Sequence, residues 1–406
     1  MKDNIIVKLT GPERIRKRPA VLFLSDDLAG AEYAVRILLN IFVSEAQLGY
    51  CSSIAVKQNG SNLEISGDDR GIYLGQDTGD DMKWKNIFCS LDLLPACPPD
   101  ESGYSFGLMD YSHNRLYGDD QAYDSIFFPD ELGYMELYAV QCASAYVDVL
   151  VNRNGIHSEL HFARGYHVGG MDSKPTTENN GTRFRFSLDR EVFTQTEIPS
   201  DFFLETLKAF SVLCPGLKCS YTNTDGLSET FYYPNGLLDY VQFKQGENAV
   251  PVFCKKINAK GRDRYNWCEY EACVDVAIGY TPDAGSIKCF HNFRMLTYGG
   301  SHLEELKKQI CRGFNVCYST PQIELRDFDE IEKHLTIILA TWCSPRATVW
   351  GNGMRLSIQN RMIEDMTYDA VGSAFCDYLY QQKEHYRNLL DVIRLKDNIF
   401  DRKVCL

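Results

Sequence analysis

The sequence predicts an α+β fold: a mixed β-sheet with helices on one face, followed by a second unit of similar make-up. Three observations carry that prediction. Val35, Leu38, Leu39, Phe42 and Ala46 recur at helical spacing over residues 28–49, and Gly49 stands where a stop is expected. Alternating runs flank Asn59-Gly60 and Asn154-Gly155, the dipeptides that favour tight hairpin turns. Residues 200–213 form a further amphipathic helical pattern after the strands.

Taken in order, residues 1–10 read as a short extended arm. Residues 53–58 and 62–66 alternate as two strands, and Asp68-Asp69-Arg70-Gly71 is a polar loop leaving the second. Residues 97–131 are rich in Pro, Gly, Asp and Tyr and predict a long loop with little regular structure. A helix over 137–146 precedes a hairpin of 147–152 and 156–163, and a third run, 182–187, follows Asn179-Asn180-Gly181. A second unit begins near residue 220. It is expected to hold a short helix at 236–242, strands at 269–279 and 335–342, a helix at 302–315 and a long tyrosine-rich helix at 365–395. No internal repeat and no low-complexity linker separates the units.

The chain has 406 residues, 44% hydrophobic and 12% aromatic, enough to build two or three packed domains. A net charge of -13 argues against a protein that coats phosphates. The basic cluster Arg14, Arg16, Lys17 and Arg18, and the scattered Arg346, Arg355 and Arg361, read as solvated faces. The 15 cysteines include no C-x-x-C pair; the nearest pairs, Cys214/Cys219 and Cys268/Cys273, lack a second half to complete a zinc site. They read as free thiols of a reducing compartment. The N-terminus lacks the apolar core of a signal peptide, and the apolar run at 34–43 is too short to span a bilayer. The expectation is a cytoplasmic protein with no membrane partner.

Five segments in order carry a resemblance. Residues 9–20 (LTGPERIRKRPA) look like the L-x-G-x-x-x-V-R-x-R-P-G opening of the DNA gyrase B and topoisomerase IV ParE family. Residues 44–51 (SEAQLGYC) are similar to the D-E-A-x-A-G stretch that ends that family's first catalytic helix. Asp69-Arg70-Gly71-Ile72 resembles D-x-G-R-G-I, Gly181-Thr182 resembles the Gly-Thr that closes the adenine pocket, and residues 299–303 (GGSHL) resemble G-G-T-H-L of the transducer domain. The resemblance covers residues 9–395. It implies a GHKL-type α/β sandwich followed by a transducer domain of ribosomal-S5-like βαβ fold. The implied organisation is an arm at 1–10, an ATPase-like domain at 11–219 and a transducer-like domain at 220–406. The family's TOPRIM domain, which carries the DNA-cleaving metal site, has no counterpart in these residues.

The family's chemistry needs a general-base glutamate, a magnesium-holding asparagine, an adenine-reading aspartate, a glycine-rich lid and a transducer lysine. With Glu45-Ala46 as the anchor, the base falls on Ile37 and the asparagine on Ile41; Asn40 is adjacent. The adenine-reading aspartate falls on Gly67, with Asp68 beside it. The lid falls on residues 130–136 (DELGYME), where only Gly133 could serve and the carboxylates would repel a triphosphate. The Q-T-K loop falls near Gly351-Asn352-Gly353, with no lysine and only Arg355 nearby. Glu45 and Arg70 remain, and the resemblance implies an ion pair between them on the pocket floor. A nucleotide site, if one survives, would therefore use Asn40, Glu45, Asp68, Arg70, Gly71 and Thr182. The departures predict no catalytic residues, no bound metal and no ATP turnover. ATP and magnesium would be the cofactors only of a surviving pocket. His157, His161 and His167 offer a conceivable metal pair but read as surface histidines.

Three functions follow as expectations. The first is a non-catalytic homodimer or partner of a topoisomerase that meets DNA only indirectly. The second is a divergent ATPase. The third is a binding module whose cleft, relined by Ile37 and Ile41, takes a more apolar ligand.

Overall fold

The computed structural model describes residues 9–75, 83–89, 134–246, 250–262, 269–282, 284–318, 323–325, 328–343, 348–351, 356–387 and 389. The 97–131 segment, all of the arm before Leu9, the lid positions 130–133 and the loop positions 352–355 lie outside them. The chain divides into two compact units, with the boundary in the described residues between Tyr232 and Tyr233.

The first unit opens on α1 (Gly11–Lys17), whose N-cap Thr10 and Glu13 form a reciprocal capping box. After α2 (Ala20–Phe23) comes α3 (Leu28–Gln47), started by Asp27, which accepts a hydrogen bond from the Ala29 amide. Gly49 ends it at a φ of +83°. The hairpin β1 (Ser53–Asn59) and β2 (Asn62–Gly67) pairs Asn59 with Asn62, as the turn dipeptide requires. Further elements are α4 (Lys83–Phe88), α5 (Tyr134–Ala143), β3 (Ser144–Arg153), β4 (Ile156–Ala163), β5 (Tyr166–His167), β6 (Asp172–Pro175), β7 (Gly181–Leu188), α6 (Ser200–Leu213), β8 (Lys218–Asn223) and β9 (Ser228–Tyr232).

Their sheet runs β5-β4-β3-β7-β2-β1-β8-β9, and β6 also pairs with β4. The β1–β8 pair is parallel, and the others are antiparallel. Each central strand alternates. Ile54, Val56, Leu63, Ile65, Val147, Val149, Val151, Phe184 and Phe186 are buried on one face. Lys57, Glu64, Asp148, His161 and Arg185 carry the other, where cross-strand partners meet as Lys57–Glu64 at 3.1 Å and Arg185–Glu64 at 2.8 Å.

In the second unit, α7 (Leu237–Gln245) precedes β10 (Phe253–Arg262), β11 (Glu269–Tyr280), β12 (Ser286–His291) and β13 (Arg294–Met295). Then come α8 (Ser301–Tyr318), α9 (Phe328–Glu332), β14 (Leu335–Cys343) and α10 (Arg361–Gln381). The sheet order is β10-β11-β14-β12-β13, and β12 and β14 run parallel on either side of α8 in the chain, a βαβ unit. Val274, Val276, Ile278, Ile337 and Leu339 share one apolar core with Leu306, Ile310 and Phe314 of α8 and Ile363, Met366 and Phe375 of α10. The helices approach closely at Gly313, where a Cβ would sit 2.9 Å from the Phe375 ring.

Three expectations are corrected. The helix expected at 137–146 ends at Ala143, because Tyr146, Val147, Val149 and Val151 extend the next strand backwards. The helix expected at 365–395 starts at Arg361, where Asn360 caps the Met362 and Ile363 amides, and ends at Gln381. The unit boundary expected at 219/220 would cut β8, which pairs in parallel with β1 and carries β9 into the first sheet. The strands β10 and β12 have no counterpart among the sequence-based expectations.

Candidate functional site

The residues singled out for a nucleotide site fall into three groups. The first is an ion pair. Glu45, in the last turns of α3, is fully buried, and both its oxygens meet Arg70, at 2.9 Å from Nε and 2.8 Å from Nη2. The guanidinium carbon lies 3.9 Å from the Tyr50 ring centroid. A planar fork on a carboxylate plus an aromatic face fixes Arg70 in a way a lysine could not. The pair ties the end of α3 to the loop leaving β2.

The second group surrounds Thr182 at the start of β7. Its amide donates to Asp69 Oδ1 at 2.6 Å and its hydroxyl to Asp69 Oδ2 at 2.8 Å. The same hydroxyl accepts from the Ile72 amide at 3.1 Å, and the Gly71 amide donates to Asp69 Oδ2 at 3.3 Å. Asp69 and Thr182 are each 1% exposed. Gly71 has a φ of +77°, and a Cβ there would lie 2.4 Å from the Asn152 carbonyl oxygen, so only glycine fits the turn. The buried carboxylate, the hydroxyl and two loop amides thus form one hydrogen-bonded knot.

Asp69 opens the Asp69-Arg70-Gly71-Ile72 segment of the resemblance but is absent from the expected nucleotide-site residues, and Asp68 is among them. The structure sends Asp68 the other way: its carboxylate accepts from the Ser52 amide at 2.8 Å, the Ser53 amide at 2.7 Å and the Ser52 hydroxyl at 2.5 Å. Burial works against its charge, yet the Ser52 and Ser53 bonds hold the carboxyl below its ordinary value. The signal that distinguishes the two is strand parity. Leu63 and Ile65 point inward, Gly67 continues that face, and Asp69 keeps the parity, whereas Asp68 shares that of Glu64 and Ser66.

The third group is the middle of α3. Ile37, Ile41 and Phe42 are 5%, 6% and 0% exposed. The Phe42 ring packs directly on Gly67: a Cβ on that glycine would sit 2.4 Å from Phe42 Cδ1. Phe42 also meets Phe184 edge-on at 6.0 Å. A carboxylate at position 67 has no room beside this ring. Asn40 lies one turn beyond Arg36, which bonds the Thr206 hydroxyl at 3.3 Å and lies over Phe202 of α6. The Asn40 carbonyl accepts from the Ser44 hydroxyl at 2.8 Å, a bond internal to α3.

His157 and His161 share a face of β4 but are bound to carboxylates and an amide, Glu159, Asp148 and Asn152; His167 stacks on Trp84. Among the described residues no group of three or more His, Cys, Asp or Glu could hold a metal ion. The twelve described cysteines are free thiols, most of them buried, and burial pushes Cys219 up to about 12 and Cys343 up to about 11. No described helix is long and apolar enough to cross a membrane.

A helix-backed mixed sheet followed by a β-rich βαβ unit defines the class: a GHKL ATPase-like domain joined to a transducer domain, as in gyrase B structures. Comparison with known proteins adds the relatives. No protein-family model matches the chain. The DNA gyrase B protein of Thermotoga maritima is 27% identical over 314 residues, covering 76% of this chain and 45% of that protein. The DNA topoisomerase 4 B protein of Mycoplasma genitalium is 23% identical over 407 residues, covering 96% of this chain and 59% of that one. The chain thus spans about half the length of the curated relatives it matches. Among solved structures, the 43K ATPase domain of Thermus thermophilus gyrase B, in complex with an aminocoumarin, superposes with a TM-score of 0.71 at 18% identity, covering 98% of this chain and 99% of that one. The topoisomerase IV ATP-binding domain of Francisella tularensis gives 0.65 at 16% identity, covering 95% and 96%. The chain is accordingly homologous, at family level and low identity, to the ATPase–transducer region of the gyrase B and topoisomerase IV B proteins.

Proposed function

We propose that the chain is a gyrase-B-like ATPase–transducer module without ATP turnover, acting as a dimerising or regulatory partner in type II topoisomerase-related DNA topology. The observation that carries this reading is the apolar middle of α3. Ile37 and Ile41 occupy the positions that the resemblance gives to the general base and the magnesium asparagine, and Phe42 closes on Gly67. Hydrocarbon there can neither take a proton from water nor hold a metal against phosphates. A general base alone is worth roughly 10²–10⁴ in rate, and the groups that stabilise a transferring phosphoryl add to that. The partners expected on this reading are a second copy of the chain or a topoisomerase, with DNA reached through that assembly.

A second reading, nucleotide binding without hydrolysis, is favoured by the Asp69–Thr182–Gly71 knot, since a buried carboxylate beside a hydroxyl suits an amino-bearing ring. The test is calorimetric titration with a non-hydrolysable ATP analogue and magnesium to millimolar concentration, alongside a phosphate-release assay. Absence of saturable heat and of any thermal shift supports the first reading. Saturable binding without release moves the second ahead. Release of phosphate overturns both.

A further inference from the structure

Two helices of the second unit approach each other over glycine. Gly313 of α8 faces α10, where a Cβ would lie 2.9 Å from the Phe375 ring and 3.1 Å from Leu379 Cδ1. Gly372 of α10 faces α8, and a Cβ there would meet Gln309 Oε1 at 3.7 Å. One helical turn beyond each glycine, at a spacing that keeps the same face, stands a cysteine: Cys317 after Gly313 and Cys376 after Gly372. We propose that Cys317 and Cys376 are a reversible disulfide pair that locks the end of α8 to α10 on oxidation by a small-molecule disulfide.

The Cys317 thiol already reaches its partner residue: Sγ donates to the Cys376 carbonyl oxygen at 3.1 Å. A carbonyl oxygen lies about 2.4 Å from its own Cα, which puts the Cys317 sulfur within about 5.5 Å of the Cys376 Cα. Backbones that approach over glycine bring facing Cα atoms toward the roughly 4.4–6.8 Å that a disulfide spans, and rotation about χ1 closes the remaining gap. Most of the described cysteines are buried away from an oxidant, whereas Cys317 and Cys376 are half-buried. Burial raises both thiols above their ordinary value. At Cys376 the Arg312 charge is the largest influence opposing burial, and Arg312 is itself placed by a bond to the Tyr368 hydroxyl at 3.2 Å. At Cys317 the neighbouring Cys376 adds to burial, and Lys383 opposes both. The thiolate therefore forms more readily at Cys376, which makes Cys376 the attacking sulfur and Cys317 the resolving one.

The exchange balances in two steps. The Cys376 thiolate attacks one sulfur of the small disulfide, and the other sulfur leaves as a thiolate. Cys317 then gives up its proton, and its sulfur attacks Cys376 Sγ. The Cys317–Cys376 bond forms and the second small thiolate is expelled. The two protons lost by the protein end on the two released thiols, so the protein gives up two electrons and the small disulfide takes the same two. An excess of small thiol runs both steps backwards. The bond closes a loop that contains α9 and β14 and joins two helices that share one apolar core. Its restraint falls on the unfolded chain, so the oxidised fold is the more stable one.

The test is to equilibrate the full chain with oxidised and reduced glutathione at several ratios, block the remaining thiols by alkylation, and map the peptides by mass spectrometry. At an oxidising ratio the peptides of Cys317 and Cys376 should appear joined and lighter by two hydrogens. Cys254, exposed on β10, is the reference thiol and should stop at the mixed disulfide with glutathione. The thermal midpoint of the joined protein should rise by about 5 °C and return when dithiothreitol is added. Cys317→Ser, which lacks the resolving sulfur, should hold glutathione on Cys376 and lose the rise. Four results overturn the pair: both thiols alkylated at a ratio that converts Cys254, glutathione left on Cys376 in the parent chain, equal midpoints before and after oxidation, or a rise that Cys317→Ser keeps.

Discussion

The two halves of α3 behave differently. Its middle, at Ile37, Ile41 and Phe42, is hydrocarbon pressed against the sheet, while its last turns end in Glu45, a buried carboxylate gripped by Arg70. Both halves are buried, so burial alone does not explain the contrast. A buried charge persists only where a partner of matching geometry compensates its lost hydration. Glu45 has one, and that partner also orders the loop carrying Asp69 and Gly71. The middle of the helix has no such duty, and side chains there are chosen for packing. Polar groups are thus found where they hold backbone together, and apolar groups stand where the resemblance would place reactive ones.

The comparison breaks most visibly if the ion pair is cut. Glu45→Ala leaves the part-buried Arg70 guanidinium without its carboxylate and should destabilise the protein by about 2–4 kcal/mol, less than the loss from a fully buried pair. The denaturant midpoint measures it. A loss well under about 1 kcal/mol, the range of an exposed pair, would mean that the Tyr50 face alone holds Arg70. The hydrocarbon half is tested by a double-mutant cycle. Gly67→Ala pushes a methyl into Phe42 and should cost about 1–3 kcal/mol as overpacking. Made on a Phe42→Ala background, the same change should cost much less, because the two sites share one space. Additive costs would show that Phe42 is not what excludes a side chain at position 67.

The same contrast explains what can be read in the sequence. The elements with clear periodicity and turn dipeptides are legible: the helix expected at 28–49 runs Leu28–Gln47, the one at 200–213 matches Ser200–Leu213, and both Asn-Gly hairpins form. β10 is hidden because Lys255, Lys256, Lys260 and Arg262 dilute its apolar positions, and β12 because its buried residues Cys289, Phe290 and His291 are consecutive rather than alternating. Within the site, the positions of Glu45, Arg70 and Thr182 follow from short motifs. Asp69 stands in one of those motifs, but its place in the site escapes sequence reasoning, because two aspartates in succession are separated only by which face each takes, and that is set by pairing of β2 with β7, Gly67 opposite Thr182. The packing of Phe42 on Gly67 is equally hidden, since helical periodicity assigns Phe42 to a core without saying which backbone it covers.

The Asp69 knot should respond less than the ion pair. Thr182→Val removes the hydroxyl that links Asp69 Oδ2 to the Ile72 amide, leaving a buried donor and acceptor short of one partner each. The expected loss is about 1–3 kcal/mol. Thr182→Ser, which keeps the hydroxyl, should recover most of it. If valine is tolerated as well as serine, the knot is held by the Thr182 and Gly71 amides without the hydroxyl.

The smallest effect belongs to Asp68, the outward member of the pair. Its carboxylate receives three hydrogen bonds from Ser52 and Ser53 in the folded chain, and these hold its pKa below the unfolded value despite partial burial. A depressed carboxylate stabilises the fold above its unfolded pKa, and that contribution is lost as pH falls through the folded one. The window therefore lies at and below about pH 4, where an unfolded aspartate titrates. Asp68→Asn keeps the acceptor oxygen but cannot ionise. It should leave stability at neutral pH slightly reduced and flatten the acid limb of a stability–pH profile. A variant as acid-sensitive as the parent would place that limb on other carboxylates, with Asp189, held down by hydrogen bonds from the Glu191 amide and Arg16 against its own burial, next to be replaced.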